Sequence, residues 1–586
     1  MIFQALMYLY ERLHASGRVP DPGFSEEDIG FVVVLDREGN MVGEPEDLRH
    51  KIKANAYQYF PSVVPYTNQV NVRSSAAAKT PNFMVDKADY VFGMSGSSKK
   101  PEHHAEFKKL IRTVCGDSQD PGVLAVRAFL DQWDPAKSPE LELWDEMSGP
   151  NGKWVAFRIQ DERSFVHERP EVKRLWTEYL ANREFPRGVN LLDGQVHDLQ
   201  TQYAQFKFGS GASLVSFNKS AFESYGKKRG QNAPISVDGE FRSSTALKYL
   251  LRSERQRLRI GDATTVFWTA RESPAEGFLG AILDPAREDA ADAVPVREFL
   301  EATRKGTMPV DIDGGVPFYI LGLSLNKARL ALRFWHVCSV EELMERLHDH
   351  FANLEMDYRG DRDPEFPGIW HLLRETTRDG KDVPPLLGGA LTRAILTGTP
   401  YPAQLYQAVL HRIRADQARV NPATGKPIPN VNHMRAAILK AVLQRDPNYK
   451  EDVPVSLDPE KRDDSYLLGR LFAVLEKAQL DALGKVNATI KDRFFSAASA
   501  TPGSVFPRLL RLSQHHIEKA KRNPETRGLA HLAEKRIAEI MEHLDNGFPA
   551  HLGLKEQGLF AIAYYQQKND LWRSKKSQET EQGENQ

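Results

Sequence analysis

The hydrophobic periodicity of the chain changes along its length, and this change constrains the fold more than any other feature. In the first half, residues 31–35 form a β-branched run that ends at a glycine-containing turn, and residues 264–269 are dense in aromatic and β-branched residues. Both patterns are typical of strands. Further short strands are predicted near residues 204–208 and 214–217. The first half is therefore predicted to combine α and β structure.

The second half follows a helical period almost throughout. Residues 318–337 predict a strand that leads into a helix, and helical spacing continues after Val340. A proline-bearing segment at 446–464 predicts a linker. Beyond it, one helix face is formed by apolar residues at i, i+3, i+4 and i+7, namely Leu468, Leu471, Phe472 and Leu475. Comparable faces follow, and a compact bundle of about five helices would use all of them.

These patterns predict an α+β protein, in which an elongated mixed α/β amino-terminal region is followed by an all-α carboxy-terminal helical bundle. A length of 586 residues allows several hydrophobic cores. The predicted domains are a basic amino-terminal region at 1–120, a mixed α/β core at 121–340, a helical region at 341–450, the carboxy-terminal bundle at 460–576 and a disordered polar tail at 577–586.

Composition argues against several classes of protein. No segment approaches the roughly 18 consecutive apolar residues of a membrane-spanning helix, so no membrane partner is predicted. Residues 1–18 lack a basic leader and a small-residue cleavage site, which favours an amphipathic helix over a signal peptide. Cys115 and Cys338 are the only cysteines, so neither a disulfide framework nor a cysteine metal site is predicted. We therefore expect a cytoplasmic protein.

The net charge of −1 conceals two basic blocks. Residues 49–112 hold eleven lysines and arginines against four acidic residues, and residues 461–576 hold twenty against thirteen, so each block carries +7. Two basic blocks in a nearly neutral chain fit a protein that meets a polyanion along defined surfaces. They also fit two solvated basic faces, which is the commoner case for blocks of this size.

Motifs that carry catalytic chemistry do not occur in the sequence. It contains no phosphate-binding lysine loop, zinc-protease helix or cysteine pair at metal-ligand spacing. A metal-dependent nuclease needs several carboxylates that converge on its ions, and the local spacing around His197, Asp198, Asp311, Asp313 and His433 supports no such cluster. We therefore predict no catalytic residue, metal or cofactor. A metal-dependent nuclease or nucleic-acid-processing enzyme is the alternative.

Residues 216–234 interleave aromatic rings, amides and cations in a way that suits a nucleic-acid surface. Cations neutralise phosphates, rings stack on bases, and amides read base edges. The segment contains the rings of Phe217, Phe222 and Tyr225, the amides of Asn218 and Asn232, and the cationic run Lys227, Lys228 and Arg229. The alternative is a glycine-turned hairpin whose rings pack inward and whose charges are solvated.

A second polar segment lies in the first basic block. It has three amides before Arg73, small residues after it, and then Lys79. Amides and arginine can hydrogen-bond base edges, and small side chains let a loop approach a groove closely. The alternative is a loop whose polar groups face water.

Seven sequence blocks carry a resemblance to a known family. In chain order they are NFMVDKADYVFG from Asn82, SFNKSAFESYGKKRGQNAPIS from Ser216, STALKYLL from Ser244, IGDATTVFW from Ile260, FYILGLSLNKARLALRFW from Phe318, YLLGRLFAVLEKAQ from Tyr466 and GLFAIAYYQQK from Gly558. Over nearly its whole length the chain resembles the large subunit of the subtype I-C Cascade, the CRISPR surveillance complex of bacterial immunity.

The resemblance implies a non-catalytic subunit that recognises a protospacer-adjacent motif (PAM) in double-stranded DNA. Such a subunit promotes duplex opening and R-loop formation with CRISPR RNA (crRNA), and it stabilises the displaced strand. The implied partners are the Cascade backbone subunits, a subunit that holds the 5′ handle of the crRNA, and a separate helicase-nuclease. Small-subunit copies made from the carboxy-terminal region by internal translation initiation are also implied, starting at Met434 or at a non-ATG codon near Val453 or Val455.

This role gives the basic residues specific expected functions. PAM sensing is assigned to Asn68, Gln69, Asn71, Arg73, Ser74, Lys79 and Asn82. Binding of the displaced strand is assigned to Lys485, Lys491, Arg493, Arg508, Arg511, Lys519, Lys521 and Arg522. A nucleic-acid or subunit contact is assigned to Lys227, Lys228 and Arg229. A purely architectural subunit that binds partners but never DNA is a further alternative.

Overall fold

The chain combines a mixed α/β amino-terminal region with a helical carboxy-terminal region, which confirms the predicted α+β class. The computed structural model describes residues 1–53, 56–66, 80–93, 102–149, 151–206, 212–217, 219–260, 263–283, 301–307, 312–326, 329–360, 363–378, 380, 382–420, 425, 427–484, 486–544 and 547–583. The chain forms two compact units. Unit 1 comprises Met1–Ser253 and Leu323–Leu332, and unit 2 comprises Glu254–Gly322 and Arg333–Gln586.

The main sheet of unit 1 is built around one long strand, β1. The strands of this unit are β1 Phe24–Leu35, β2 Glu46–Asp47, β3 His50–Lys53, β4 Ala56–Gln58, β5 Phe60–Pro65, β6 Trp154–Ile159, β7 Arg187–Val189, β8 Val196–Asp198, β9 Gln205–Phe206 and β10 Ala212–Ser213. β2 and β5 pair with β1 antiparallel, and β6 pairs with it in parallel. Every residue from Ile29 to Leu35 is buried, because both faces of β1 are covered.

Some helices of unit 1 pack against this sheet, and others pack against one another. The helices are α1 Ile2–Ala15, α2 Ala88–Val91, α3 His103–Cys115, α4 Pro121–Gln132, α5 Trp144–Ser148, α6 Pro170–Ala181 and α7 Val237–Arg252. The predicted amphipathic helix at the amino terminus is confirmed as α1, which packs against α7. α4 begins at Asp120, whose carboxylate accepts the backbone N–H groups of Gly122 and Val123 at 2.9 and 3.1 Å.

The helix predicted within residues 318–337 is wrong, because both halves of that segment are strands. The strands after residue 254 are β11 Arg257–Ile260, β12 Ala263–Thr269, β13 Pro317–Asn326 and β14 Arg329–Ser339, and the sheet has that order. Gly322 leaves the space that the ring of Phe334 fills, which fixes β13 against β14. The next helix begins only at Val340, where Ser339 and Glu342 form a capping box.

A strand is present in the first of the two segments predicted near residues 204–208 and 214–217, and the prediction for the second is wrong. β9 is Gln205–Phe206, followed by residues outside the described part of the chain, and β10 ends at Ser213, before the second predicted segment begins. The outer part of the β13–β14 hairpin, Leu323–Leu332, belongs to unit 1. There Arg329 of β14 pairs with Ser213 of β10.

Unit 2 is mainly helical and contains the predicted five-helix bundle. Its helices are α8 Ala275–Leu283, α9 Val340–Leu354, α10 Ile369–Arg374, α11 Pro385–Thr397, α12 Ala403–Ala415, α13 His433–Gln444, α14 Asp464–Leu483, α15 Ile490–Ala500, α16 Pro502–Lys521, α17 Arg527–Glu542 and α18 Leu554–Gly583. The bundle consists of α14 to α18. The predicted linker at 446–464 lies within unit 2, and α18 continues through most of the segment predicted to be a disordered tail.

Helix α14 is the centre of the bundle. Its residues from Ser465 to Ala478 are buried on every side, and α15, α16, α17 and α18 pack around it. A side chain at Gly469 would overlap the backbone of Phe560, so this glycine allows α14 and α18 to approach closely. Among the described residues, no helix has both the length and the apolar character needed to cross a bilayer.

One buried histidine in each unit should make stability fall in mild acid. Burial lowers the pKa of His167 in unit 1 and of His350 in unit 2 to about 3. Between an unfolded pKa near 6.5 and that value, the unfolded chain binds more protons, so stability is lost as pH falls. We expect each histidine to remove roughly 1.5 kcal/mol of unfolding free energy between pH 6.5 and pH 5.

The measurement is hydrogen exchange of each unit at several pH values. His350→Gln, which removes the titrating ring beside the Tyr401 hydroxyl, should flatten the pH dependence in unit 2 only. His531, whose side chain is 63% exposed, provides the control variant His531→Gln. An unchanged pH dependence in His350→Gln would contradict the prediction.

Candidate nucleic-acid interface

Helix α16 has an apolar face towards the bundle and a basic face towards solvent. Pro502 lies in the first turn, where no helical hydrogen bond is lost. The buried residues recur with helical spacing and are Val505, Phe506, Leu509, Ser513, Ile517 and Ala520. Solvent-accessible residues at successive spacings of 3, 4, 4 and 3 form a second face, which we call the α16 stripe: Arg508, Arg511, His515, Lys519 and Arg522.

The four basic residues of the α16 stripe direct their charge to solvent. Within the described part of the chain, none of them has a carboxylate at ion-pair distance. The Arg508 guanidinium lies 5.3 Å from the centre of the Phe494 ring, which orients it without neutralising it. Burial, then the charges of His515 and Lys519, lower the pKa of His516, so this neighbouring ring adds no charge at neutral pH. The stripe spans about 21 Å of helix.

The other cations predicted to bind the displaced strand have different environments. Lys491 is buried and lies 2.7 Å from the Asp492 carboxylate, so its ammonium group is not available at the surface. Lys521 pairs with Glu534 at 2.7 Å and with Glu518 at 3.5 Å. Arg493 is exposed, and Lys485 lies outside the described residues. Of the predicted set, four cations belong to the α16 stripe, Lys491 and Lys521 are paired, and Arg493 is exposed outside the stripe.

Six of the seven residues predicted to sense the PAM lie outside the described residues. They are Asn68, Gln69, Asn71, Arg73, Ser74 and Lys79. The chain just before them is anchored at Tyr66. The centre of its buried ring lies 4.4 Å from the Lys248 ammonium group, and the backbone N–H of Tyr66 donates to the Gly23 carbonyl oxygen at 2.8 Å.

Asn82, the seventh predicted residue, is fully buried. Its backbone N–H donates to Asp86 Oδ2 at 2.7 Å, and its side-chain Nδ2 donates to the Val85 carbonyl at 3.0 Å. In this conformation Asn82 fixes the chain after the predicted loop, and its amide cannot reach a base. A buried amide with local backbone partners is a common turn device, and the sequence did not distinguish it from an exposed one.

The β3–β4 hairpin of the first basic block presents cations that sequence reasoning did not assign. His50, Lys51 and Lys53 are exposed, and the described residues place no carboxylate at ion-pair distance from either lysine. Arg49, which donates to both Asp47 oxygens at 2.9 and 2.8 Å, places its guanidinium 4.7 Å from the centre of the Tyr57 ring of β4. The signal for this surface was the alternation of cations along one short strand.

The cationic run of residues 227–229 is also on the surface. Lys227, Lys228 and Arg229 are all exposed, as the nucleic-acid or subunit assignment requires. The Lys227 N–H donates to the Ser224 carbonyl oxygen at 3.0 Å, so the run begins at a closed turn. The alternative for this segment, a hairpin whose aromatic rings pack inward, does not fit Tyr225, which is 99% exposed.

Each described residue considered for a nuclease has its own local partners, and Asp311 lies outside the described residues. The His197 ring lies 2.9 Å from Asp193, and Asp198 lies 3.6 Å from Arg187, all on the surface of unit 1. His433, in unit 2, is buried against the Tyr565 hydroxyl at 3.2 Å. In the described residues, no group of three or more His, Cys, Asp or Glu side chains could hold a metal ion.

Together these observations describe a large α+β protein with a basic helix face that is unpaired among the described residues. The family described as CRISPR-associated protein (Cas_Csd1) matches residues 6–572. The chain therefore belongs to this family, which confirms the resemblance found in the sequence. A search among curated proteins returned no match.

Proposed function

We propose that the chain is the non-catalytic large subunit of a type I-C Cascade complex. It recognises the PAM in double-stranded DNA, promotes duplex opening and R-loop formation with crRNA, and stabilises the displaced strand. It assembles with the backbone subunits and the subunit that holds the 5′ handle, and it supports recruitment of the helicase-nuclease. The observation that carries the proposal is the match of residues 6–572 to a CRISPR-associated family.

Two surfaces divide the work in this proposal. The segment with Arg73 and Lys79, which lies outside the described residues, senses the duplex, and the exposed lysines of β3 add cations from the same basic block. The α16 stripe then holds the displaced single strand, because a row of unpaired cations can follow a phosphate backbone without reading its sequence. A few protein–DNA contacts can nucleate melting while guide pairing supplies the remaining specificity.

An independent small subunit would need the polar groups inside the carboxy-terminal bundle to find partners within it. At its centre the Tyr564 hydroxyl donates to Glu476 at 2.6 Å, and the Tyr466 hydroxyl donates to Gln566 at 2.6 Å. These bonds join α14 to α18. They give the buried side chains of Tyr466, Glu476, Tyr564 and Gln566 hydrogen-bond partners within the bundle. A product that starts near Val453 contains all five helices, and one that starts at Met434 adds most of α13.

Binding of the assembled complex to duplex and single-stranded targets tests the motif-sensing part of the proposal. We expect Arg73→Ala with Lys79→Ala to weaken binding to a target duplex by at least about tenfold, since charged contacts to DNA contribute strongly to affinity. Binding to a complementary single strand should be unchanged, because it needs no opening. The measurement is a gel shift with duplexes that vary only at the flanking trinucleotide.

The outcomes of this experiment separate the alternatives. Equal binding of parent and variant to both targets would remove the loop from the proposal. Complexes without this chain that still recognise the duplex would instead favour a purely architectural subunit. Cleavage of labelled DNA or RNA by the purified chain with Mg²⁺ or Mn²⁺ would favour the nuclease.

A further inference from the structure

The segment around Tyr225 forms a tight turn in an unusual conformation. Lys227 N–H closes the turn on the Ser224 carbonyl oxygen, and the two central residues, Tyr225 and Gly226, have φ values of 52° and 70°. Two positive φ angles in a row are those of a type I′ turn, where Asn and Gly are the usual residues. A tyrosine at the first central position is therefore unfavourable for the turn itself.

The side chain of Asn232 stabilises the turn through three hydrogen bonds to the backbone. The Asn232 side-chain Nδ2 donates to the carbonyl oxygens of Lys227 and Arg229 at 2.9 and 3.0 Å, and its Oδ1 accepts the Ser224 N–H at 3.2 Å. Gly230 then anchors the segment, since its N–H donates to the Thr201 carbonyl at 3.1 Å. The turn therefore presents its tip in one defined position.

The exposed tip combines one aromatic ring with several cations. The Tyr225 side chain is 99% exposed, so the ring contributes nothing to the packing of the chain. Lys227, Lys228 and Arg229 follow it on the surface, against one nearby acid, the exposed Glu223. Within the described chain none of these three cations has a carboxylate at ion-pair distance.

A strained backbone position that holds a large ring in water marks the turn as a candidate contact for an external partner. An aromatic face accepts any nucleobase by stacking, and flanking cations neutralise the phosphates on either side. An apolar protein surface would match the ring but would bury the three cations without partners. The combination therefore favours nucleic acid over protein.

We propose that Tyr225 stacks on an unpaired base of a single-stranded nucleic acid while Lys227 and Lys228 contact the adjoining phosphates. This inference rests on the proposed function and adds to it a specific base-stacking position. The shared chemistry is a single-stranded nucleotide, which either the RNA or an opened DNA strand could supply.

The test measures binding of the full chain to labelled single-stranded RNA and DNA oligonucleotides by fluorescence anisotropy. Tyr225→Asn removes the ring and suits the turn, and we expect it to weaken binding roughly tenfold. Tyr225→Phe keeps the ring and should bind like the parent. Lys227→Gln with Lys228→Gln should lower the slope of log affinity against log salt by about 1.4, which Tyr225→Asn leaves unchanged.

The control variant is Tyr8→Ala, which removes another exposed ring, 64% accessible, from helix α1. A stronger effect on RNA than on DNA, or the reverse, identifies which strand supplies the base. Equal binding by Tyr225→Asn and the parent would overturn the inference, as would absence of parent binding to both oligonucleotides. So would a variant that loses only association with other subunits, which would indicate a protein contact. PAM-dependent duplex binding by the assembled complex is measured separately. Its loss or absence tests the proposed function, whereas the oligonucleotide experiment tests only the stacking of Tyr225.

Discussion

Neutralising the four basic residues of the α16 stripe is expected to lower the slope of log affinity against log salt concentration, measured for single-stranded DNA, by about three. Each phosphate contact on a single strand contributes about 0.7 to the slope of log affinity against log salt. Arg508, Arg511, Lys519 and Arg522 are exposed and unpaired among the described residues, so each can release a counterion. At 0.1 M salt, we expect the quadruple glutamine variant to bind single-stranded DNA roughly 100-fold more weakly.

The control for this experiment lies in the same bundle. Lys521 and Lys535 are already paired, with Glu534 at 2.7 Å and Glu539 at 3.8 Å, so changing both to glutamine should move the slope little. Titration of the full chain with a labelled single strand between 50 and 200 mM salt provides both slopes. Equal slopes for the quadruple variant and the parent would remove the α16 stripe from the proposed interface.

Replacing Asp416 by alanine is expected to destabilise unit 2 by about 3–5 kcal/mol. Its carboxylate is 1% exposed and accepts from Arg435 at 2.8 Å, and it also pairs with Arg412 and Arg419. Arg435, itself buried, donates in turn to Glu375 at 2.8 Å. Without Asp416, three guanidinium groups face one another with less negative charge to balance them.

Hydrogen exchange of α12 and α13, together with urea unfolding, measures this loss. Asp416→Leu combined with Arg435→Met should recover part of the stability, because apolar residues can replace a buried ion pair. Glu539→Ala breaks only the exposed pair with Lys535 and should leave the unfolding midpoint unchanged. A midpoint in Asp416→Ala equal to that of the parent would show that the buried cluster is not needed for stability.

Local sequence patterns predicted secondary structure correctly where burial of apolar side chains dominates. The β-branched run at 31–35 is buried within β1, and the apolar spacing around Leu468 is buried within α14. The helix predicted inside 318–337 failed because short-range spacing suits either structure there. The Phe334 ring lies against Gly322 across the hairpin, and a contact between residues 322 and 334 falls outside the i, i+3 and i+4 spacing from which the helix was predicted.

The candidate site shows the same division between local and tertiary information. Composition located the basic block at 461–576 but treated its cations as equivalent. Tertiary packing buried Lys491 against Asp492, paired Lys521 with Glu534 and left the α16 stripe without an ion-pair partner among the described residues. Asn82 was chosen for its amide, and only its burial reveals that the amide serves the fold.

The sequence by itself determined the family, the α+β class, the helical bundle and the two basic blocks, because these depend on periodicity, composition and long recognisable segments. The tertiary structure decided which charges are free and which rings face solvent. It placed the Tyr225 ring at the tip of a hydrogen-bonded turn, and it set the basic residues of the α16 stripe on one solvent-facing side of the helix. Charge availability depends on neighbours brought together from distant parts of the chain, and no local pattern contains that information.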